Sequence, residues 1–266
     1  MIRTVWVALV AALWTLAYGG DILLRKAVGS PGLKPCCRRV AKMWCRRILR
    51  AAGTVVEVEG SERLAGGEQV VVSNHESWFD VLALSGHLPV DVHFVAKQEL
   101  ARVPIFGPAW KACGHISIDR EDREAAVASL EEAARQIRED DMTIVMFPEG
   151  TRSRHGELQP FKKGAFVLAI QAGAPVVPVG ISGSRDVLPK GSWRVRRGTI
   201  RVKVGEPIDV RGLEHRHRDR LVREARRRVA ALREGQDPKP GPQLARGGGP
   251  RAEDEGDAGR PGRADE

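Results

Sequence analysis

Val70-Val71-Val72-Ser73-Asn74-His75-Glu76-Ser77-Trp78-Phe79-Asp80 changes character half-way along. Three consecutive Val residues read as a buried strand. Ser73 and Asn74 end that run and can cap a following helix. His75 is then carried at a strand-to-helix turn, where a side chain can point into a cleft. Asp80 stands five residues on. Five residues apart on one straight helix, two side chains leave on different faces. The pair can therefore meet only if His75 lies at or before the helix start. In that arrangement the Asp80 carboxylate would fix the imidazole tautomer and stabilise its protonated form, leaving the other ring nitrogen free to take a proton. The plainer alternative is a surface histidine beside a helix-capping aspartate, and the spacing alone does not separate the two.

Outward from this stretch, short apolar runs alternate with helical patterns. Strands are expected at 55–58, 69–73, 92–96, 116–118, 143–147, 176–181 and 199–204. Helices are expected over 79–87, around Trp110, and over 122–139, 165–171 and 213–233. This alternation predicts an α/β sheet covered on both sides by helices. Sites in such sheets gather at strand ends, and His75, Lys97, Arg120 and Glu149 each follow an expected strand. No internal repeat is visible.

The 266 residues carry a formal charge of +9, unevenly spread. Residues 1–52 hold ten basic residues and one acid, Asp21. A basic block beside an apolar block points to an anionic membrane surface. No zinc-finger spacing and no aromatic-and-basic ribonucleoprotein signature is present, so nucleic acid is not the expected partner. The apolar run Thr4–Tyr18 is interrupted at Gly19-Gly20-Asp21, and its fifteen residues reach only ~22 Å against a hydrocarbon core of ~30 Å. A short or re-entrant helix embedded in one leaflet is expected, with a cleaved signal peptide as the alternative. From Pro35 to Ala52, Cys37, Val40, Ala41, Trp44, Cys45 and Ile48 recur on one side and Arg39, Lys42, Arg46 and Arg50 on the other. That pattern suggests a helix lying in a membrane interface, or else a domain helix with a solvated basic face. The expected organisation is membrane-associated helices over 1–52, an α/β domain over 53–234 and an unfolded tail over 235–266. The tail has thirteen Gly and Pro in thirty-two residues and little to bury. The four Cys form no framework and no zinc spacing, and Cys113 stands alone, which suggests a reducing, cytosolic setting.

Polar groups collect in four stretches. The first is Asn74-His75-x4-Asp80. The second runs from Lys97 through Val103-Pro104 and Gly107 to Ile118-Asp119-Arg120. The third is Phe147-Pro148-Glu149-Gly150-Thr151-Arg152-Ser153, continuing to Phe161-Lys162-Lys163-Gly164, and the fourth is Val176-Val177-Pro178-Val179. This set in this order resembles the glycerolipid acyltransferases, specifically the bacterial 1-acylglycerol-3-phosphate acyltransferases. The resemblance runs from about Val70 to Ile181. Neither NHESWFD nor FPEGTRS would settle it alone; together, about seventy residues apart with a basic stretch between, they are specific. One departure is Ser117, where the family usually has a large apolar residue, and a local packing change is expected there.

The resemblance implies a mixed sheet covered by helices, preceded by N-terminal membrane-associated helices at the cytoplasmic face. It implies acyl transfer from acyl-CoA or acyl carrier protein to the sn-2 hydroxyl of 1-acylglycerol 3-phosphate, giving phosphatidate. His75 would be the general base and Asp80 its orienting partner. Glu149, Gly150, Thr151 and Arg152 would bind the glycerophosphate end of the acceptor, with Lys97 and Arg120 as further cations around the phosphate. No metal and no cofactor is called for; the thioester is a co-substrate. The chemistry is consistent on its own terms. A hydroxyl attacking a thioester needs a base, and histidine titrates in the right range. The developing oxyanion needs donors, for which backbone N–H groups at a helix start are candidates. No G-x-S-x-G elbow is present, which favours direct attack without an acyl-enzyme, although Ser77 stands close to His75. The alternatives are an acyltransferase for a different lysophospholipid, a hydrolase using the same His-Asp pair with water, and a non-catalytic lipid-binding protein.

Overall fold

The computed structural model describes residues 1–64, 66–118 and 123–238, without the side chains of residues 123–127. The expected site residue Arg120, and all of the expected tail beyond Pro238, lie outside the described residues.

Two long helices come first, α1 (Ile2–Ala27) and α2 (Leu33–Ala52). The alternation expected from the sequence follows: β1 (Thr54–Glu59), β2 (Gln69–Ser73), α3 (Trp78–His87), β3 (Val92–Lys97), α4 (Phe106–Ala112), β4 (Ile116–Ile118), α5 (Arg123–Asp140) and β5 (Thr143–Met146). The chain continues with α6 (Gly164–Ala172), β6 (Val176–Ser182), α7 (Ser184–Val187), β7 (Gly198–Val204) and α8 (Arg218–Arg233). The one-turn helix α7 is too short for any periodicity to announce it.

All seven strands form one mixed sheet in the order β1-β7-β6-β2-β5-β3-β4. β2 lies at its centre, pairing in parallel with β5 through Val71 and Val145 and with β6 through Val71 and Val177. β7 runs antiparallel to β6, and β1 parallel to β7. Every residue of β2 is buried, as a run of Val covered on both faces requires. Alternate side chains serve opposite cores. Val71 packs with residues of α2, α3 and α4, whereas Val70 and Val72 pack with α5, α6 and α8. One close approach depends on glycine. A Cβ on Gly180 would fall well inside van der Waals contact of the Leu232 and Arg233 backbone, so β6 and the end of α8 touch main chain to main chain. Gly180→Ala should therefore cost ~1–3 kcal/mol of stability by overpacking, read as a lower midpoint in chemical denaturation at unchanged slope.

The N-terminal region departs from expectation in three ways. First, α1 is continuous through Gly19-Gly20-Asp21, and its 26 residues reach ~39 Å. Gly19 is tolerated because α1 there crosses Ile105, whose Cγ2 lies 2.6 Å from where a Cβ would sit. Asp21 is satisfied by Arg25 one turn on, at 3.0 Å, and by the Cys36 thiol at 3.2 Å. Secondly, the apolar face of α2 does not face a membrane interface. Cys45, Ile48, Leu49 and Ala52 are core residues, and Trp44 packs between α1 and α4, donating to Thr15 Oγ1 and meeting the Phe106 ring. Several of its cations are held locally: Arg46 donates to the Gly86 carbonyl, Arg47 to the Tyr18 hydroxyl, and Lys42 pairs with Asp91. Periodicity cannot tell which solvent an amphipathic face will meet. Thirdly, Cys113 is not alone: it is disulfide-bonded to Cys37, joining the end of α4 to α2 across 76 residues of sequence, with Cα atoms 5.3 Å apart. Exposed apolar side chains gather on α1, where Ile2, Val5, Trp6, Leu9, Leu13, Leu16 and Leu24 recur at helical spacing. That helix is long and apolar enough to cross a membrane, and its exposed stripe fits membrane association.

Candidate active site

The strand β2 ends at Ser73, and Asn74 closes the turn that follows by bonding backbone on β6. Its Nδ2 donates to the Ile181 carbonyl and its Oδ1 accepts from the Ile181 N–H, both at 2.8 Å. The next residue, His75, is thereby held at the carboxyl end of the central strand, before α3 begins. Ser77 is the N-cap of α3 and Asp80 its third residue, together forming a capping box. Helix capping thus brings the two residues together. One oxygen of Asp80, Oδ2, accepts from His75 Nδ1 at 2.8 Å, from the Glu76 N–H at 2.7 Å and from the Ser77 N–H at 2.9 Å. Asp80 is fully buried, and its other oxygen has no hydrogen-bond partner. Because a carboxylate only accepts, the Nδ1 atom carries the hydrogen and Nε2 holds the lone pair. The His75 side chain is 14% exposed and its ring stacks on Phe147 at 4.0 Å.

The second strand end is that of β5. Its continuation, Phe147 to Ser153, wraps round the histidine turn. Ser153 N–H donates to the His75 carbonyl at 2.8 Å. Glu149, expected at the glycerophosphate end of the acceptor, is engaged with backbone in this structure. Its Oε1 accepts from the His75 N–H at 2.7 Å and its Oε2 from the Gln159 N–H at 2.9 Å, so both oxygens serve backbone. Burial pushes the Glu149 carboxyl up from its usual range, against the lowering effect of those two N–H groups. Gly150 has φ +73°, a conformation that suits glycine, and the Lys162 side chain lies against it. Thr151 is exposed, and its hydroxyl accepts from Lys190 Nζ at 2.9 Å. Arg152 lies over the half-exposed Trp78 ring at 5.0 Å, and no described carboxylate is within ion-pair distance of it. Its guanidinium is held below its usual value by burial.

Lys97 ends β3, two strands from β2 on the same edge of the sheet, and pairs with Glu99. Ser117, where the family usually has a large apolar residue, has a buried hydroxyl without a hydrogen-bond partner among the described residues. Of the N–H groups around the start of α3, all but that of Trp78 are already committed. Those of Glu76 and Ser77 go to Asp80, that of Phe79 to Ser77 Oγ and that of Asp80 to the Ser77 carbonyl. The Ser77 hydroxyl is also committed: it is buried and donates to the Leu188 carbonyl at 2.7 Å, which argues against a nucleophilic role.

Two supports were not found by reading motifs. Arg233, the last residue of α8, pairs through Nε with buried Glu76 at 2.8 Å and donates to the Gly156 carbonyl. Lys190 Nζ donates to the Arg152 carbonyl at 2.7 Å as well as to Thr151. In sequence Arg233 is one arginine among many on a basic helix. The available signal was Glu76, an acid inside a buried turn, which needs a cation.

The acyltransferase family model matches residues 55–182, which contain the histidine turn and the Phe147–Ser153 loop. Among curated proteins, the 1-acyl-sn-glycerol-3-phosphate acyltransferase of Limnanthes douglasii is 40% identical over 157 residues, covering 59% of this chain and 56% of its own. The alpha form from Homo sapiens is 35% identical over 202 residues, covering 74% of this chain and 71% of its own. The chain belongs to the acyltransferase family. It spans a little over half the length of the plant acyltransferases it matches. A solved acyltransferase structure, the 1-acyl-sn-glycerophosphate (LPA) acyltransferase PlsC from Thermotoga maritima, superposes with a TM-score of 0.77 at 27% identity, covering 88% of this chain and 94% of its own. The mixed sheet with flanking helices is thus the acyltransferase fold expected from the sequence.

Proposed function

We propose that this acyltransferase moves an acyl group from a thioester, acyl-CoA or acyl carrier protein, to the sn-2 hydroxyl of 1-acylglycerol 3-phosphate, giving phosphatidate. The observation that carries the reading is the His75–Asp80 pair. A buried carboxylate engages one ring nitrogen and leaves the other for the substrate, with an arginine on the adjoining loop that pairs with no carboxylate among the described residues. In this reading Nε2 takes the hydroxyl proton as the oxygen attacks the thioester carbonyl. Asp80 balances the charge that the ring gains. When the tetrahedral intermediate collapses, the C–S bond breaks and the proton passes from His75 to the departing thiolate. The acceptor phosphate is held by Arg152, whose planar fork suits phosphate oxygens, with Lys97 and Arg120 as further cations. Gly150 and Thr151 shape that loop, and Glu149 acts on it through the backbone.

Acceptor and product both keep acyl chains in a bilayer, and α1 supplies the means to stay there. Its outward stripe would bury in the membrane at the cytoplasmic face while its inward side remains fastened to the domain. Arg3 donates to the Ala52 carbonyl, Trp44 to Thr15, and Arg47 to Tyr18. Fastened near its start and in the middle, the helix lies along the domain, which favours embedding in one leaflet over spanning.

Purified protein in mixed micelles with an acyl-CoA tests the reading by release of free thiol. Release that requires lysophosphatidate is expected. Release with another lysophospholipid only would change the acceptor, and equal release without acceptor would point to hydrolysis. Arg152→Ala should raise the acceptor KM about ten- to a hundredfold and leave the thioester KM unchanged, the scale of a lost hydrogen bond to a charged group. A change confined to the thioester KM would remove Arg152 from the phosphate site.

A further inference from the structure

The segment Gly191-Ser192-Trp193-Arg194-Val195-Arg196-Arg197 joins α7 to β7 and takes no part in the reaction described above. Its backbone is pinned at two consecutive positions. Val195 N–H donates to Thr4 Oγ1 at 3.1 Å and Arg196 N–H to the Val187 carbonyl at 2.9 Å, with the Val195 side chain buried. Trp193 is consequently turned out, 62% exposed, and Arg194, Arg196 and Arg197 are exposed beside it. No carboxylate among the described residues pairs with any of the three. The surface is also continuous with another. Thr4 belongs to the first turn of α1, whose outward residues Ile2, Val5 and Trp6 are more than half exposed. Arg3 Nη1 and Arg197 Cγ lie 2.8 and 3.2 Å from the point where a Cβ on Gly53 would sit, so two cationic side chains share one corner.

Such an arrangement is unfavourable in water. Like charges are gathered without an acid to offset them, and a large indole is left in solvent. Both features become favourable at an anionic lipid surface, where Trp settles at headgroup level and each nearby Arg gains from the surface potential. We propose that residues 191–197, together with Arg3, form a second membrane-contact surface that seats on anionic phospholipid headgroups, with Trp193 entering the interface. The proposal rests on the reading of α1 as membrane-embedded, and extends it to a separate element of the domain. An acidic carrier protein would meet the same charges. It would not account for the exposed tryptophan continuing into an apolar stripe that runs the length of α1. Seating here has a bearing on the site, because Lys190 at the head of the segment grips Thr151 and the Arg152 carbonyl. The acceptor loop would be held at headgroup height.

The test uses the full chain and vesicles of phosphatidylcholine with and without phosphatidylglycerol, read by cosedimentation. Wild type should bind the anionic vesicles more tightly, with an advantage that falls as salt is raised. The variant Arg194→Gln/Arg196→Gln/Arg197→Gln should lose about a hundredfold of that affinity, about fivefold for each arginine. It should keep its residual binding to neutral vesicles through α1, its turnover in detergent micelles and its melting profile. Trp193→Phe should lower fluorescence quenching by lipids brominated near the headgroup. Anionic binding of the triple variant equal to wild type would overturn the proposal and leave the α1 reading standing. Wild type that binds neither vesicle would overturn both. Unchanged vesicle binding with loss of activity only when the donor is an acyl carrier protein would overturn it and reassign the surface to that partner.

Discussion

His75→Ala should lower acyl-transfer turnover at least ~10²-fold, the usual scale for removing a general base, with folding and membrane binding unchanged. The side chain makes one hydrogen bond, to Asp80, and one ring contact, to Phe147, so its loss removes little that holds the turn. The turn itself is fixed by backbone groups of residues 75, 76 and 77. A steady-state assay with lysophosphatidate and acyl-CoA, beside a thermal melt, checks both halves. Wild-type turnover in the variant would return the motif to a lipid-binding role. Asp80→Asn provides the companion result. Its amide oxygen can replace Oδ2 and keep the three donors, but the NH2 group then lies buried where Oδ1 has no partner among the described residues, and the charge beside the ring is lost. It should therefore lose activity on a similar scale and also melt lower than His75→Ala, because a buried donor is left unsatisfied.

Glu149→Ala is expected to damage the protein in a different way. The N–H groups of His75 and Gln159 would both lose their acceptor in a place where Glu149 is only 4% exposed. An unsatisfied buried donor costs ~1–3 kcal/mol, so the pair should cost several kcal/mol and lower the melting temperature by about 10 °C. Turnover should fall because the loop that carries His75 is released, while the acceptor KM stays near its wild-type value. Glu149→Gln should lie between, since its amide can accept one of the two bonds but turns a donor toward the other. An acceptor KM raised at least tenfold with an unchanged melt would instead place the carboxylate on the substrate.

The contrast between these two residues shows what the sequence could carry. The strand and the placing of His75 before the helix were legible from the run of Val and the spacing to Asp80, but the cap was expected at Ser73 and Asn74; Ser77 and Asp80 form it, and it brings the carboxylate to the ring. The strand-helix alternation was also legible, since each element announces itself within ten or twenty residues. The backbone bonds of Glu149 were not legible because its partners lie 74 residues back and 10 residues on, and nothing in FPEGTRS says that a carboxylate there meets backbone. Arg233 and Lys190 were missed for the same reason of distance. The face of α2 was misread because amphipathicity reports a boundary without naming what lies beyond it, and α1 rather than lipid covers part of that side. Gly19-Gly20-Asp21 looked like a break because glycine and aspartate are poor helix residues in isolation. Ile105 on one side and Arg25 with Cys36 on the other override that preference.

The strand order has a consequence for how this protein is made. Among the described residues β1 pairs only with β7, and β7 fills the space between β1 and β6. Until residues 198–204 have left the ribosome, β1 has no neighbour and β6 presents an open edge. Glu76 lacks its cation until Arg233 emerges still later. The apolar helix α1 is complete some two hundred residues before that point. During synthesis the nascent chain therefore offers its apolar helix well before its closed domain, and such late, non-local pairing is slow. Early capture of α1 by a bilayer would shelter the stripe that is most prone to aggregate while the sheet waits for its final strand.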